Sequence, residues 1–346
     1  MAPARKQKGP STTKSTQSSR EAANITPKRP DPVALPVEVQ QMMLDVFRRA
    51  FPFNNNLDVK TVIQEVKGHL FQRDFTSAFA KQEYLGAYAL RWSAARALGY
   101  SDILLHSDLQ QVWLGETAAS ATPNTQKTTS ANRVACIGGG GGAEVAACAV
   151  ATRSYSLPHL EVHPIDIADW SSCLNQLENV LCTPPPLSPY ASESAKASNR
   201  SLIASDQFTV RFSQCDILAV GEARLHDMLA NMHLCTIMFT LNELFTSSIS
   251  RTTAFLLALT DSMQSGSWLL VVDSPGSYSE VKLGQGQTKK YPMKWLLDHT
   301  LQEVAQGKWK KHVSDDSRWF RLNPSLKYPL ELENMRYQIH LYQRVS

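Results

Sequence analysis

Residues 134–144 read VACIGGGGGAE, an apolar run that leads directly into five consecutive glycines. The run at 134–137 is typical of a short buried parallel strand, and residues 143–152 can form a helix. Glycines at such a turn let the backbone approach a ligand closely at the helix amino terminus. A glycine tract without a ligand is the alternative, but the order of strand, glycines and helix favours a binding turn. A P-loop is disfavoured because Gly-Lys-Ser/Thr is missing.

Similar apolar runs recur downstream and are separated by segments that can form helices. They cover residues 160–165, 208–212, 234–241 and 268–272, and two closing strands are predicted at 319–322 and 337–345. The last run alternates between apolar and polar residues, so we expect that strand to be half exposed. The alternation of strands and helices predicts the α/β class with a Rossmann-like, doubly wound sheet.

Composition divides the rest of the chain. Residues 1–32 have almost no large apolar side chains and predict a disordered basic tail. Apolar residues at helical spacing predict an all-helical amino-terminal unit over 33–116. Residues 117–132 are of low complexity and predict a flexible linker to the main domain, 133–346. A Pro/Ser-rich stretch at about 183–205 predicts a disordered insertion within that domain.

The overall composition disfavours several classes of protein. The 346 residues are 43% hydrophobic without a run of the ~18 apolar residues that a membrane span needs, so we expect neither a membrane span nor secretion. Six cysteines form no CxxC pair, which indicates reduced thiols rather than disulfides or a zinc site. We therefore expect no metal and a cytosolic or nuclear location.

The net charge of +4 is the sum of segments with strongly different charges. Residues 1–32 and 278–346 each carry a net +5, residues 33–132 are neutral, and residues 133–277 carry −6. The last segment interleaves cations with aromatics, namely Lys289, Lys290, Tyr291, Lys294 and Trp295, then Lys308, Lys310 and Lys311. Such side chains can neutralise phosphates and stack on unpaired RNA bases, although a solvated helix face explains them equally well.

Acidic residues follow two successive strands after the glycine turn. Asp166 can accept hydrogen bonds from both ribose hydroxyls of a nucleoside cofactor, with Ile167 as an apolar contact. Asp216 has the corresponding place for an adenine amino group. Helix capping is the alternative role at both positions. The sequence favours cofactor binding over capping at Asp166, and it favours neither role at Asp216. The pattern fits S-adenosylmethionine (SAM) or NAD, and methyl transfer leads because neither a second glycine-rich phosphate site nor a His/Lys hydride-transfer pattern stands out.

The fourth strand runs into Asn242 and Glu243, at the edge where open parallel sheets bind ligands. If the methyl acceptor is a ring nitrogen that bears hydrogen, its proton must leave, and Glu243 could accept it. Asn242 could hold the ring edge through its amide donor and acceptor. A pair that only caps a helix is equally compatible with the sequence.

Seven segments, in this order along one chain, resemble the fungal family of SAM-dependent methyltransferases that modify uracil N3 in large-subunit (25S) ribosomal RNA. They are YLGAYALRWSAARAL (84–98), CIGGGGGAE (136–144), IDIADW (165–170), FTLNELF (239–245), YPMKWLLDHTL (291–301), DSRWFRL (316–322) and YPLELENMRYQIHLYQR (328–344). The resemblance implies a seven-stranded methyltransferase fold, SAM as methyl donor and a nuclear, nucleolar location. The implied partner is ribosomal RNA or a pre-ribosomal particle, and we expect a monomer.

The resemblance also implies roles for individual residues. Its cofactor contacts are Gly138, Gly140 and Gly142 at the methionine part, Asp166 at the ribose, and Asp216 with Ile217 at the adenine. Arg91, Trp92 and Arg96 are implied to close the cofactor or RNA site, although a buried helix face explains Trp92 equally well. Ala135-Cys136 replaces the acidic residue that usually opens the glycine motif, which leaves the contact to the methionine amino group unassigned. A small-molecule or protein methyltransferase, and a non-catalytic RNA-binding protein of the same fold, are the alternatives.

Overall fold

The computed structural model describes residues 35–52, 59–114, 132–276, 278–283 and 287–346, without the side chains of 277–289. The predicted tail and residues 117–131 of the predicted linker lie outside the described residues. Within the described part the strands are β1 (Asn132–Ile137), β2 (Leu160–Asp166), β3 (Phe208–Val210), β4 (Ser213–Gln214), β5 (Leu234–Met238), β6 (Trp268–Asp273), β7 (Tyr278–Leu283), β8 (Gln287–Pro292), β9 (Trp309–Phe320) and β10 (Met335–Arg344).

Eight of these strands form one sheet in the order β3-β2-β1-β5-β6-β10-β9. The two-residue β4 pairs with the end of β2 beyond β3, so β3 and β4 share one edge of the sheet. The pairs among β1, β2, β3, β5 and β6 are parallel, and β10 runs antiparallel to both of its neighbours. This mostly parallel sheet of seven positions confirms the α/β prediction.

Helices cover both faces of the sheet. They are α1 (Val37–Ala50), α2 (Val59–Phe71), α3 (Phe75–Ala78), α4 (Gln82–Tyr88), α5 (Ala94–Leu105), α6 (Gln110–Leu114), α7 (Ala143–Ser154), α8 (Ser171–Cys182), α9 (Glu193–Ser198), α10 (Glu222–Leu229), α11 (Leu241–Ser247), α12 (Ile249–Ser262) and α13 (Met293–Asp298). Successive side chains of a strand point to opposite faces. Val134 and Cys136 of β1 accordingly join one core, with α1, α5, α7 and α8, while Ala135 and Ile137 join the other, with α10 to α13.

The helices that precede the sheet do not form a unit of their own. Phe47 of α1 and Leu98 of α5 are buried in the same continuous core as Val134 of β1 and Val145 of α7. α5 packs along α7, and α1 packs along α8. The sequence pattern predicts helices here but not their docking, because an apolar helix face looks the same whichever surface covers it.

The predicted disordered insertion at 183–205 is also corrected by the structure. Leu202 and Ile203 are buried, and the backbone N–H groups of both donate to the Leu181 carbonyl at 3.1 and 3.3 Å. Ser192 caps α9 by accepting a hydrogen bond from the Ala195 N–H. A single apolar pair thus anchors a segment whose Pro/Ser-rich composition suggests disorder.

The closing strands differ from the prediction in length and burial. β9 begins at Trp309 instead of residue 319, and β10 is almost wholly buried because it lies between β6 and β9. Leu241, predicted at a strand end, begins α11. The hairpin of β7 and β8 was not predicted, and β7 contacts α11.

Of the helices described, none is both long and apolar enough to cross a membrane.

Candidate active site

A cavity of about 720 Å³ opens at the carboxyl ends of β1, β2 and β5. Parallel strands end at the same edge of a sheet, so residues far apart in sequence meet there. The predicted site residues that line the cavity are Gly138, Gly142, Asp166, Ile167, Asp216, Ile217 and Glu243. Gly140 and Asn242 do not line it. The end of α2, the start of α3 and the turn that joins them form part of the opposite wall, through residues 70, 71 and 73–76.

The glycine turn is held by close packing. Gly138 and Gly142 have φ angles of 75° and 78°, which L side chains rarely adopt. A Cβ atom on Gly140 would collide with the indole of Trp170. Gly140 therefore contributes by packing rather than by contact with the cavity, and its N–H donates to Asp166 Oδ2 at 3.0 Å.

Asp166 lies at the cavity wall with both oxygens already oriented. Its Oδ1 accepts the Ala168 N–H at 3.1 Å, and its Oδ2 accepts the Gly140 N–H. Burial raises the pKa of this carboxyl group, and hydrogen bonds from Ala168, Gly140, Trp170 and Ile167 oppose that shift. A carboxylate oxygen can accept two hydrogen bonds, so the carboxylate can also accept from a ligand hydroxyl. The neighbouring Ile167 is 61% exposed and presents an apolar surface at the same wall.

Asp216 lies further along the cavity wall. Its Oδ1 accepts the Leu218 N–H at 2.9 Å, as in a local turn, and its Oδ2 lies 3.9 Å from Arg251 Nη2. Ile217 is 7% exposed and belongs to the core on the α10–α13 face. The capping and binding interpretations of Asp216 are both compatible with this geometry.

α11 carries the two predicted catalytic residues. The backbone N–H of Asn242 donates to Asp273 Oδ2 at 3.0 Å, and its side-chain Oδ1 is buried without a hydrogen-bond partner among the described residues. Glu243 lines the cavity, and its Oε2 lies 3.2 Å from Arg73 Nη1. Burial raises the pKa of Asp273 to about 6. A hydrogen bond to Asp273 of β6 therefore fixes the start of α11, and the ion pair with Arg73 on the opposite wall holds Glu243 in place.

Glu144 is a candidate that the sequence reasoning missed. It lines the cavity in the first turn of α7, is 3% exposed, and accepts a hydrogen bond from Thr236 Oγ1. Burial raises its pKa to about 8. Glu144 is the one acidic residue of the glycine motif at 134–144, so the sequence does contain a sign of this role. It was missed because Glu144 follows the glycines instead of preceding them.

Arg96 of α5 is a second charged group in the cavity wall. Its Nη1 donates to the Tyr88 hydroxyl at 3.1 Å, and its guanidinium carbon lies 5.0 Å from the Phe239 ring centroid. Within the described residues it forms no ion pair, so most of its donors are available to an anion. Phe239 has a φ of 57°, a costly conformation for an aromatic residue and one often found at functional sites.

The other two residues of the same helical stretch have different surroundings. Trp92 lines the cavity, whereas Arg91 pairs with Glu333 and Glu331. No cluster of three His, Cys, Asp or Glu side chains suited to a metal ion occurs in the described ranges. All six cysteines are free, and four of them are buried.

Comparisons with known proteins show which family the chain resembles. A family model described as "Putative SAM-dependent methyltransferase" matches residues 47–343. The 25S rRNA (uridine(2843)-N(3))-methyltransferase of Saccharomyces cerevisiae is 29% identical over 363 aligned residues, which cover 94% of this chain and 92% of that protein.

Solved structures that the chain is similar to include an O-methyltransferase family protein from Burkholderia thailandensis, with 11% identity and a TM-score of 0.45 over 84% of this chain and 71% of that one. A SAM-dependent methyltransferase from Methanosarcina mazei has 11% identity and a TM-score of 0.34 over 62% of this chain and 93% of that one. The family model spans most of the chain, from α1 to β10. The chain therefore belongs to this family of SAM-dependent methyltransferases.

Proposed function

We propose that this protein transfers a methyl group from SAM to N3 of a uridine in large-subunit (25S) ribosomal RNA. The relative from yeast, aligned along nearly its whole length, is named for that reaction. The observation that carries the proposal is the place of Glu243 in the same cavity as the glycine turn and Asp166. A proton acceptor beside the methyl donor is what methylation of an N–H group requires.

The cavity fits the charged methionine end of SAM, which carries an ammonium and a carboxylate. Glu144, buried next to the glycine turn, would pair with the ammonium and so fill the role left open by Ala135-Cys136. Arg96, whose donors are mostly unused, would bind the carboxylate. Charge-assisted hydrogen bonds of this kind are stronger than neutral ones. SAM supplies an electrophilic methyl group on its sulfonium sulfur.

The adenosine end fits the remaining wall. The carboxylate of Asp166 would accept hydrogen bonds from the ribose hydroxyls, while Ile167 and Ile217 would flank the adenine. Asp216 would accept a hydrogen bond from the adenine amino group. Gly138 and Gly142 leave the backbone open to the methionine part. In this arrangement Gly140 acts indirectly, by orienting Asp166.

On the substrate side, the uracil N3–H bond must break as the N3–methyl bond forms and the methyl–sulfur bond breaks. Glu243 would take the N3 proton, with Arg73 holding its carboxylate in place. Asn242 does not line the cavity, so the role of its amide at the ring edge stays a prediction from the sequence. Alignment of the nucleophile with the methyl carbon can contribute ~7–11 kcal/mol in favourable systems.

The substrate base must be unpaired, because N3 lies on the Watson–Crick edge of uracil. We infer that the partner is ribosomal RNA or a pre-ribosomal particle, that the protein acts in the nucleolus, and that it acts as a monomer. The polarised charge supports an RNA partner, since the segment after residue 277 carries a net +5. A small uncharged substrate would give turnover that responds little to salt, whereas RNA binding weakens steeply with it.

The test is methylation of protein-free large-subunit RNA and of pre-ribosomal particles with methyl-labelled SAM, followed by nucleoside analysis. We expect labelled 3-methyluridine, and a loss of at least ~100-fold in rate for Glu243→Gln with unchanged SAM affinity. Glu222→Gln, an exposed glutamate on α10, is the control and should keep full activity. Labelled product other than 3-methyluridine would overturn the reaction, and full activity of Glu243→Gln would overturn the base.

A further inference from the structure

Two exposed aromatic side chains stand at the cavity end of the sheet, on β9 and α13. Trp319 is 49% exposed and Trp295 is 45% exposed. Trp319 pairs with Arg336 in the β9–β10 register, and two residues further along β10 Gln338 pairs with Asp273, the residue that fixes α11. Trp319 therefore lies at the same edge of the sheet as the cavity.

Trp319 is accompanied by two cations. The guanidinium carbon of Arg321 lies 3.9 Å from its ring centroid, and that of Arg336 lies 5.7 Å away. Both arginines are exposed, and neither has a carboxylate partner in the described part of the chain. Arg336 Nε donates to Ser317 Oγ at 3.0 Å, which orients its guanidinium. This patch thus combines uncompensated positive charge with an exposed indole.

Trp295 of α13 is the middle ring of a stack that begins at Tyr291 of β8 and ends at His299, directly after α13. Its centroid lies 5.0 Å from that of Tyr291 and 5.1 Å from that of His299, with interplanar angles of 23° and 4°. Lys294 Nζ lies 2.5 Å from Asp316 Oδ1 and ties α13 to β9 three residues before Trp319. α13 also contacts α11, the helix that carries Glu243, so the ring stack lies on an element that packs against the active site.

We propose that Trp295, Trp319, Arg321 and Arg336 form the docking surface for single-stranded RNA next to the target uridine. Bases stack on exposed aromatic rings regardless of sequence, and arginines bind the intervening phosphates. This inference rests on the proposed RNA substrate and adds the surface that holds it. The occupant is RNA rather than protein because the uncompensated arginines flank an aromatic ring, the combination that unpaired nucleotides require.

The lysines of the basic segment 278–346 that precede Trp319 on β9 lie away from this surface. Lys310 pairs with Gln343 at the far end of β10, seven residues from Arg336, or roughly 23 Å along the strand. Lys311 is engaged by Asp298 at 2.7 Å. Lys308 and Lys310 are exposed like the two arginines but lie at the opposite edge of the sheet. They provide a control matched in charge.

The experiment measures binding of the full chain, with SAM present, to a fluorescent single-stranded oligouridine over a range of salt concentrations. Arg321→Ala with Arg336→Ala should lower the slope of log affinity against log salt by about 1.4, the value for two lost phosphate contacts. Trp319→Leu should weaken binding about tenfold with an unchanged slope, and Trp319→Phe should restore most of it. Lys308→Ala with Lys310→Ala should change neither quantity.

The outcomes separate this surface from the proposed function. If the arginine and tryptophan variants bind oligouridine with wild-type affinity and salt slope, the docking surface is wrong, although the proposed RNA substrate is unaffected. If these variants lose binding to a ribosomal protein and keep binding to oligouridine, the surface binds protein. A wild-type chain that binds no single-stranded oligouridine would also overturn the docking surface, whereas the RNA substrate is decided separately by the methylation assay. SAM calorimetry on each variant separates loss of RNA binding from loss of the fold.

Discussion

In the proposed cofactor site, Glu144 would couple SAM binding to pH. Because its pKa in the folded chain is about 8 against an ordinary 4.5, the folded state binds the proton more tightly than the unfolded state. The free energy of unfolding of the cofactor-free chain should therefore fall as pH rises between these values. An ammonium next to Glu144 reverses this preference, so SAM binding at pH 7 should release the proton.

The prediction for Glu144→Gln is a change in proton release. Calorimetric titration with SAM at pH 7, in buffers that differ in ionisation enthalpy, should show about one proton released by the wild type. The variant should release almost none and bind SAM more weakly, because the neutral amide cannot pair with the ammonium. Equal proton release by both chains would remove Glu144 from the ammonium site.

Phe71 has an unusual environment for its type. It lines the cavity at the end of α2 and is 90% exposed, so the fold gains almost nothing from burying it. An exposed ring at the mouth of a nucleoside cavity suits stacking on the substrate base. Phe71→Ala should raise the KM for RNA about tenfold with little change in SAM affinity or unfolding midpoint. An unchanged KM in steady-state methylation assays would exclude this role.

At the scale of elements, the strands of the sheet and the glycine turn could be predicted because their signals are local. A buried parallel strand is a short apolar run, and the glycines mark the only backbone that fits between Thr240, Trp170 and Leu177. The β7–β8 hairpin and the extra length of β9 were not predicted because their sequences are polar. Glu144 was not assigned to the cofactor, and Arg96 was named only as closing the cofactor or RNA site, because their roles depend on which elements meet in space.

The glycine turn gives a prediction about stability. Gly140→Ala places a methyl group against Trp170 and should lower the free energy of unfolding by about 1–3 kcal/mol. Gly68→Ala in α2 is the control, because a Cβ there has no atom within 4 Å and alanine favours a helix. Denaturant unfolding should show Gly68→Ala at or above wild-type stability. If the two variants have equal free energies of unfolding, the glycine turn accommodates the added methyl group without loss of stability.

At the scale of the whole molecule, one face of the sheet shares a hydrophobic core with α1 and α5, and α2 with α4 adds a smaller cluster, although the sequence suggested two units. A shared core predicts that unfolding is a single cooperative event. Removing the ring of Phe47, which is fully buried in α1, should then destabilise the cavity as much as the amino-terminal helices. The expected loss for Phe47→Ala is about 3–5 kcal/mol.

Phe71→Ala provides the matched control, because it removes the same ring from a position that is 90% exposed. Unfolding of Phe47→Ala should be followed by far-ultraviolet circular dichroism, by tryptophan fluorescence and by SAM binding, and the three midpoints should fall together. Phe71→Ala should leave all three in place. Early loss of helical signal with SAM binding retained would mean that α1 to α6 unfold independently. Coincident transitions would instead show that the helices before the sheet are part of the catalytic domain, so that Arg96 and Glu144 are held by one structure.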